Sequence, residues 1–283
     1  MDRVLGTDTG LRLVDAHVHL QDPALRARLP EVLARASESG VQCYLSNGSE
    51  PADWAEVERL AAERPEVVPF LGLHPWYAAN AAEGWLDDLA RRIERLRAGV
   101  GEIGIDRWKE GLDPKAQEEA FRAQLELAAR LGRPATIHCL RAWGWLMDVI
   151  RSQPAFPDRF LLHAFGGPAE LIRPLADRGA YFSFSGDALD ERKVRRRIAL
   201  RTVPPDRLLL ETDAPDILVP EHHRRVPTFR DEEGRERSEP ASLADVLRGS
   251  ARLLGESEKA LAERVWANAR RFLGDLFPAH LDR

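Results

Sequence analysis

Leu11-Arg12-Leu13-Val14-Asp15-Ala16-His17-Val18-His19 is a short apolar run that ends in two histidines one residue apart. Alternate side chains of a strand share a face. The spacing therefore predicts Asp15, His17 and His19 on one side, and Val14, Ala16 and Val18 on the other. Two imidazoles side by side at a strand end are a pair of nitrogen ligands for a divalent metal. An isolated His-x-His can also be two ordinary interior histidines. The ends of later strands decide between these readings.

Outward from this run, the pattern repeats. Counting Leu11–Asp15 as the first, strands are predicted at Val41–Ser46, Val67–Gly72, Gly101–Ile105, Ala135–His138, Phe160–His163, Ala180–Phe184 and Leu208–Thr212. Amphipathic stretches lie between them. Pro114–Leu131 is the clearest, with Phe121, Leu125, Leu127, Ala128 and Leu131 spaced for one face and Gly132 as its stop. Glu31–Ser39, Trp54–Arg64, Leu86–Leu96, Trp143–Ile150, Glu170–Arg178 and Glu191–Leu200 fill the other gaps, and Leu243–Leu254 and Glu258–Leu276 read as closing helices. Strands alternating with helices in this way predict an α/β chain folded as a (β/α)8 TIM barrel, regular or distorted, with an additional C-terminal helix. A doubly wound sheet is the open alternative, but no Gly-x-Gly-x-x-Gly turn follows any of these strands. The polar segment from Val219 to Pro240 reads as a long loop after the last strand, on the face where a barrel carries its active site.

Bulk composition limits the function classes. With 283 residues, 44% hydrophobic and 31% charged, the chain supplies a full core, and residues 1–283 read as one domain. A net charge of -5 does not describe a basic nucleic-acid binder, so a phosphate-bearing substrate would have to be met by a local site or a metal. Two distant cysteines, Cys43 and Cys139, make a disulfide framework an unsuitable reading and a reducing cytoplasm the expected location. The opening residues lack the apolar stretch of a signal peptide, and no run approaches the roughly 18 apolar residues of a membrane span.

Metal-capable side chains close several of the predicted strands. The first ends in His17 and His19, the fourth carries Glu102, the fifth ends in His138, the sixth in His163, and the eighth in Glu211 and Asp213. Singly, each has an ordinary explanation as a satisfied core group. Together, that many ionisable groups at apolar strand ends would be costly to bury uncompensated, and a metal is a physical reason for them to meet.

These segments resemble the TatD family of metal-dependent deoxyribonucleases, within the amidohydrolase-like barrel superfamily. The resemblance is carried by Asp15-Ala16-His17-Val18-His19-Leu20, Gly72-Leu73-His74-Pro75, Gly101-Glu102-Ile103-Gly104-Ile105-Asp106, Ile137-His138, Leu162-His163-Ala164-Phe165 and Leu210-Glu211-Thr212-Asp213-Ala214-Pro215. It extends through Ser238-Glu239-Pro240 to Val265–Leu273. It implies two divalent metal ions (Mg²⁺, Mn²⁺ or Zn²⁺), one held by His17, His19, Glu102 and Asp213, the other by Glu102, His138 and His163, with Glu102 bridging. Two cations about 3.5–4 Å apart can clamp the attacking and leaving oxygens of a phosphodiester and activate water. Asp213 would orient that water and accept its proton, which makes Asp213 and Glu102 the expected catalytic pair. His74 and Arg141 are the expected substrate contacts, Trp76 and Tyr77 could stack on a base, and Glu211 would support a ligand from behind. DNA or a small phosphodiester is the implied substrate, with no membrane and no obligate protein partner.

Some positions depart from the family pattern. Cys139-Leu140-Arg141 follows His138 where the family carries a Ser-Arg-Asp-like segment, Ala164-Phe165-Gly166-Gly167 follows His163 where it carries Cys-Phe-Ser-Gly, and Ser238 replaces its Asn. Hydrolysis of a small amide, ester or lactone is therefore a rival reading, since activated water attacks carbonyl and phosphoryl centres alike. A carboxylated lysine would mark that branch, but none of the predicted strands contains a lysine. A metal-free binding protein is the remaining alternative. Of two basic stretches, Arg192–Arg197 reads as a solvated helix face, and His222-His223-Arg224-Arg225 in the rim loop as the better phosphate grip.

Overall fold

The structure is a computed structural model that describes residues 10–282. Eight parallel strands run β1 Leu13–Val18, β2 Val41–Asn47, β3 Val67–Leu71, β4 Gly99–Asp106, β5 Ala135–Leu140, β6 Phe160–Leu162, β7 Ala180–Phe184 and β8 Leu208–Leu210, paired in sequential order. Helices connect them, so the architecture is a (β/α)8 TIM barrel. The ladder is nearly closed. The C-terminal end of β1 meets the segment that follows β8, where Asp213 N donates to His17 O and His19 N to Ala214 O, both at 3.0 Å. Asp15 completes the seam, its carboxylate accepting from Thr212 N at 2.8 Å and Thr212 Oγ1 at 2.5 Å.

Apolar side chains fill the barrel from below. Val14, Ala16, Cys43, Leu45, Val68, Phe70, Leu161, Tyr181 and Leu209 form one buried cluster with Trp266, Ala269, Phe272 and Leu273 of helix Glu258–Leu273. Phe272 stacks 6.1 Å from Phe70 and lies 5.3 Å from Tyr181. The closing helix thus plugs the barrel floor. A second cluster, including Leu13, Val18, Ile103, Ile137 and Phe182, packs the outside of the strands against the surrounding helices.

Local chemistry sets the boundaries. Helix Pro114–Leu131 occupies its predicted span: Asp113 caps it by accepting from Lys115 N at 2.8 Å, Pro114 is its first residue, and Gly132 ends it at φ 62°. Helix Val194–Thr202 starts later than the predicted Glu191, because Asp190 accepts from Arg192 N at 2.9 Å and holds a turn there. The predicted Glu170–Arg178 helix is a 3-10 turn followed by the short helix Ile172–Ala176. Val219–Pro240 is a long connection, as expected, but it contains a two-stranded hairpin, Phe229–Arg230 against Glu236–Arg237.

Candidate metal centre

The strict alternation expected over Asp15–His19 does not hold. The β1–β2 register slips between Asp15 and Val18. Val18 consequently packs outside with Leu13 rather than with Val14 and Ala16. Asp15 faces the seam and Thr212, while His17 and His19 turn towards β4 and meet Glu102. A bulge that changes side-chain direction is a familiar device beside functional sites.

Glu102 is the centre of the arrangement, and its two oxygens face two groups of donors. Oε2 lies 3.4 Å from His17 Nε2 and 3.5 Å from His19 Nε2. Those two nitrogens are 3.2 Å apart, and Asp213 Oδ1 lies 3.8 and 3.6 Å from them. Oε1 lies 2.9 Å from His163 Nε2, 3.2 Å from His138 Nδ1 and 3.3 Å from His74 Nε2. Five of the chain's eight histidines therefore converge on one buried carboxylate.

Glycines permit this approach. At Gly104, with φ 147°, a Cβ would run into the His138 carbonyl. At Gly101 it would meet Thr136 Oγ1. Only a bare backbone lets β4 lie close enough to β5 to set Glu102 against His138. Asp213 reaches the centre through a left-handed turn at φ 51°, its amide fixed to His17 O. Ala164 makes a similar turn after His163, at φ 43°. Glu211 holds it there by accepting from Ala164 N at 2.7 Å, and it also accepts from Ser183 Oγ and lies 3.8 Å from His163 Nδ1. Glu211 thus supports the His163 segment from behind.

Three of the rings are also engaged on their far sides. His19 Nδ1 is 2.8 Å from Asn47 O, so the proton of a neutral His19 sits on Nδ1 and Nε2 faces the centre as an acceptor. His138 Nε2 is 2.9 Å from Asp106 Oδ2. Neither partner was singled out from sequence. Asp106 carries a signal, since it stands two residues beyond Gly104 and four beyond Glu102 on one strand. Asn47 acts through its backbone, so no residue type marks it. Trp76 N lies 3.3 Å from His74 Nδ1 and donates to it, so the proton of a neutral His74 sits on Nε2 and points at Glu102.

Electrostatics follow from this packing. Burial raises the Glu102 carboxyl, but the surrounding histidines outweigh it and hold it well below the usual range. Burial also raises Asp213, but the His19 hydrogen bond and nearby imidazoles bring it down to about 2. Burial lowers His19, yet Asp213 and Glu102 push it up to about 9. Neutral imidazoles around a divalent cation would satisfy the same carboxylates. The spacing agrees: donors about 2.0–2.2 Å from one tetrahedral ion stand about 3.4 Å from each other, and those around Glu102 Oε2 stand 3.2–3.8 Å apart. Two buried ring nitrogens, His17 Nδ1 and His163 Nδ1, have no hydrogen-bond partner. The clusters His17–His19–Glu102 and His74–Glu102–His138 are fit to hold divalent metal.

A cavity of about 530 Å³ opens over the centre. His19, His74, Trp76, Tyr77, Glu102, His138, His163 and Asp213 line it, and Arg196 adds a guanidinium. Arg141 does not; it is exposed, at φ 55°, outside the lining. The rim segment His222–Arg225 is also absent from the lining: Arg224 bonds Glu236 at 2.6 Å and Val219 O at 3.0 Å. It is the other basic stretch, 192–197, that reaches the cavity. Arg196 donates to Ala164 O at 2.9 Å and pairs with Asp187 at 3.0 Å. A helix after β7 points one residue of its N-terminal turn at the rim, which a reading of the whole stretch as a solvated face misses.

The family model described as TatD related DNase matches residues 14–274. The chain belongs to the TatD-related DNase family. Curated TatD relatives extend nearly end to end. The 3'-5' ssDNA/RNA exonuclease TatD of Pantoea ananatis is 33% identical over 270 residues, covering 93% of this chain and 99% of that one. The enzyme of the same name from Shigella flexneri is 31% identical over 271 residues, covering 94% and 100%. Among solved structures, the TatD homologue YJJV from Escherichia coli K12 superposes with a TM-score of 0.83 at 25% identity, over 93% of this chain and 98% of that one. A TatD family hydrolase from Entamoeba histolytica shares the fold, with a TM-score of 0.82 at 19% identity, covering 95% and 99%.

Proposed function

We propose that this TatD-family chain is a metal-dependent phosphodiesterase that removes nucleotides from single-stranded nucleic acid, with the 3'-5' direction of the curated relatives' names. The observation that carries the reading is the two-sided environment of Glu102, with imidazoles and a carboxylate around Oε2 and imidazoles around Oε1. His17, His19, Glu102 and Asp213 would hold one divalent ion, and Glu102, His138 and His163 the other. Mg²⁺, Mn²⁺ and Zn²⁺ all suit oxygen donors, while the histidines favour Mn²⁺ or Zn²⁺. When bound, the ions supply positive charge to the scissile phosphate and acidify water.

The chain's own groups do the remaining work. Asp213, ionised at neutral pH and lining the cavity, orients the attacking water and accepts its proton. Asp106 and Asn47 hold the His138 and His19 rings in fixed orientation. His74 directs an N–H into the cavity beside Glu102, where it can bond a phosphate oxygen. Arg196 adds a fixed cation at the rim. No lysine lines the cavity, which favours Glu102 over a modified lysine as the bridging group. We take residues 1–283 as one hydrolase domain, since the closing helix packs into the barrel floor. A cytoplasmic location belongs to the same reading. The two cysteines are free, and no described helix is long and apolar enough to cross a membrane.

The test gives the purified protein Mn²⁺ or Mg²⁺ with 5'-labelled single-stranded DNA, a small phosphodiester and a lactone panel, with Glu102→Ala in parallel. Stepwise shortening of the DNA from its 3' end, lost in the variant, is expected. Cleavage of a lactone but of neither phosphodiester would overturn the nuclease reading. Full activity in Glu102→Ala would overturn the bridging role.

A further inference from the structure

The β4 exit, Asp106-Arg107-Trp108-Lys109, leaves the metal centre and carries an exposed indole away from it. Trp108 is 51% exposed, an unusual state for so large an apolar surface. Its ring lies 6.5 Å from Trp76 and is tilted only 26° to it. That is the loose end of the stacking range, so self-packing leaves much of Trp108 uncovered.

Trp76 itself is fixed and belongs to the cavity wall. Its Nε1 donates to Asp106 Oδ2 at 2.9 Å, and the same oxygen is 2.9 Å from His138 Nε2. The Lys109 ammonium lies 4.3 Å from the Trp76 ring, and no carboxylate among the described residues is paired with it. Arg107, on the other side of Trp108 in sequence, lies 5.1 Å over Trp145. Beside the cavity wall there is thus a rigid inner indole, an exposed outer indole tilted 26° from it, and the Lys109 ammonium over the inner ring. That combination recognises a base and its backbone phosphates on a flexible strand.

We propose that Trp108 is a stacking platform for a nucleobase of the single-stranded substrate, outside the cleavage centre, with Lys109 meeting the adjoining backbone phosphate and Trp76 forming the inner wall. The site rests on the nucleic-acid reading above and specifies how the strand is gripped. Stacking is tolerant of base identity because every base has a π face, so the platform selects single strands rather than a sequence.

Equilibrium binding tests this apart from catalysis. Fluorescein-labelled dT oligonucleotide and an abasic oligonucleotide of equal length are titrated by anisotropy, in EDTA, against wild type, Trp108→Ala and Trp108→Phe. Wild type should bind the base-bearing strand about tenfold more tightly than the abasic one, the scale of one stacked base. Trp108→Ala should bring that ratio close to one, and Trp108→Phe should restore most of it. Lys109→Ala should weaken both strands and flatten the salt dependence of each. A ratio that survives in Trp108→Ala, or a wild type that does not discriminate, overturns the platform, leaving Trp108 as a surface for another partner. Absence of Mn²⁺-dependent cleavage alongside an intact ratio would overturn the nuclease reading and leave the platform standing.

Discussion

The Asp106 carboxylate sits 2.9 Å from Nε2 of His138, on the side of the ring away from Glu102. His138 therefore has one nitrogen committed to a carboxylate and the other, Nδ1, aimed at the metal centre 3.2 Å from Glu102 Oε1. Such a partner fixes ring orientation and raises ligand basicity, and its loss commonly costs about 10–100-fold in metal affinity. Asp106→Ala should weaken Mn²⁺ binding within that range by calorimetry, with the loss appearing in one class of sites. Asp106→Asn, which can still accept from Trp76 Nε1, should recover part of the affinity. Equal Mn²⁺ titrations for wild type and Asp106→Ala would show that the bond does not position His138.

The two arginines that sequence put in the opposite order of interest make a direct contrast. Arg196 lines the cavity and is braced by Ala164 O and Asp187, whereas Arg141 is exposed outside it. A braced guanidinium loses little freedom on meeting phosphate. Arg196→Ala should raise KM for single-stranded DNA about tenfold, the size of one charge-assisted hydrogen bond. Arg141→Ala should stay within about twofold of wild type, as surface changes generally do. Steady-state kinetics on the same oligonucleotide decides it, and the reverse ranking would return Arg141 to the substrate path.

The strands, and the residues that gather around Glu102, were legible because they rest on short-range pattern. A polar residue at the end of an apolar run marks a rim position whichever way the chain turns next, and this is how His17, His19, Glu102, His138, His163 and Asp213 stood out. Direction was less legible. Simple alternation assigned Asp15 to the His17 face, but the register slip after Asp15 sends it to Thr212 instead. Backbone contacts were invisible, as with the Asn47 carbonyl behind His19. Arg196 was hidden for another reason: its neighbours 192–195 are exposed, and only the fold shows that one residue of the run meets Ala164.

The barrel floor predicts a stability effect separate from the chemistry. Phe272 is fully buried, stacks on Phe70 and touches Tyr181, so it joins the closing helix to opposite sides of the barrel. Phe272→Ala removes a ring from a space walled by strands that cannot collapse inward. The cost should fall at about 3–5 kcal/mol. Urea denaturation followed by circular dichroism measures it. A loss below about 1 kcal/mol would mean that the helix end repacks and is not a plug.

Metal should also act on folding, because the donors around Glu102 come from segments far apart in the chain. β1, β4, β5, the turn after β6 and the turn after β8 each supply at least one. No such set exists in an unfolded chain, so an ion that binds the folded form stabilises it by mass action, about 2.7 kcal/mol at a hundred times Kd. For a chain of this size that is a rise in Tm of about 5 °C. Mn²⁺ added to EDTA-treated protein should produce it in a thermal shift experiment, and Glu102→Ala should remove most of it, since that change takes an oxygen from both donor groups at once. His280→Ala, remote from the centre in sequence and in the fold, should keep the full rise. Equal shifts in wild type and Glu102→Ala would mean that Mn²⁺ stabilises the chain elsewhere, and the Glu102-centred site would fail as the place where metal is held.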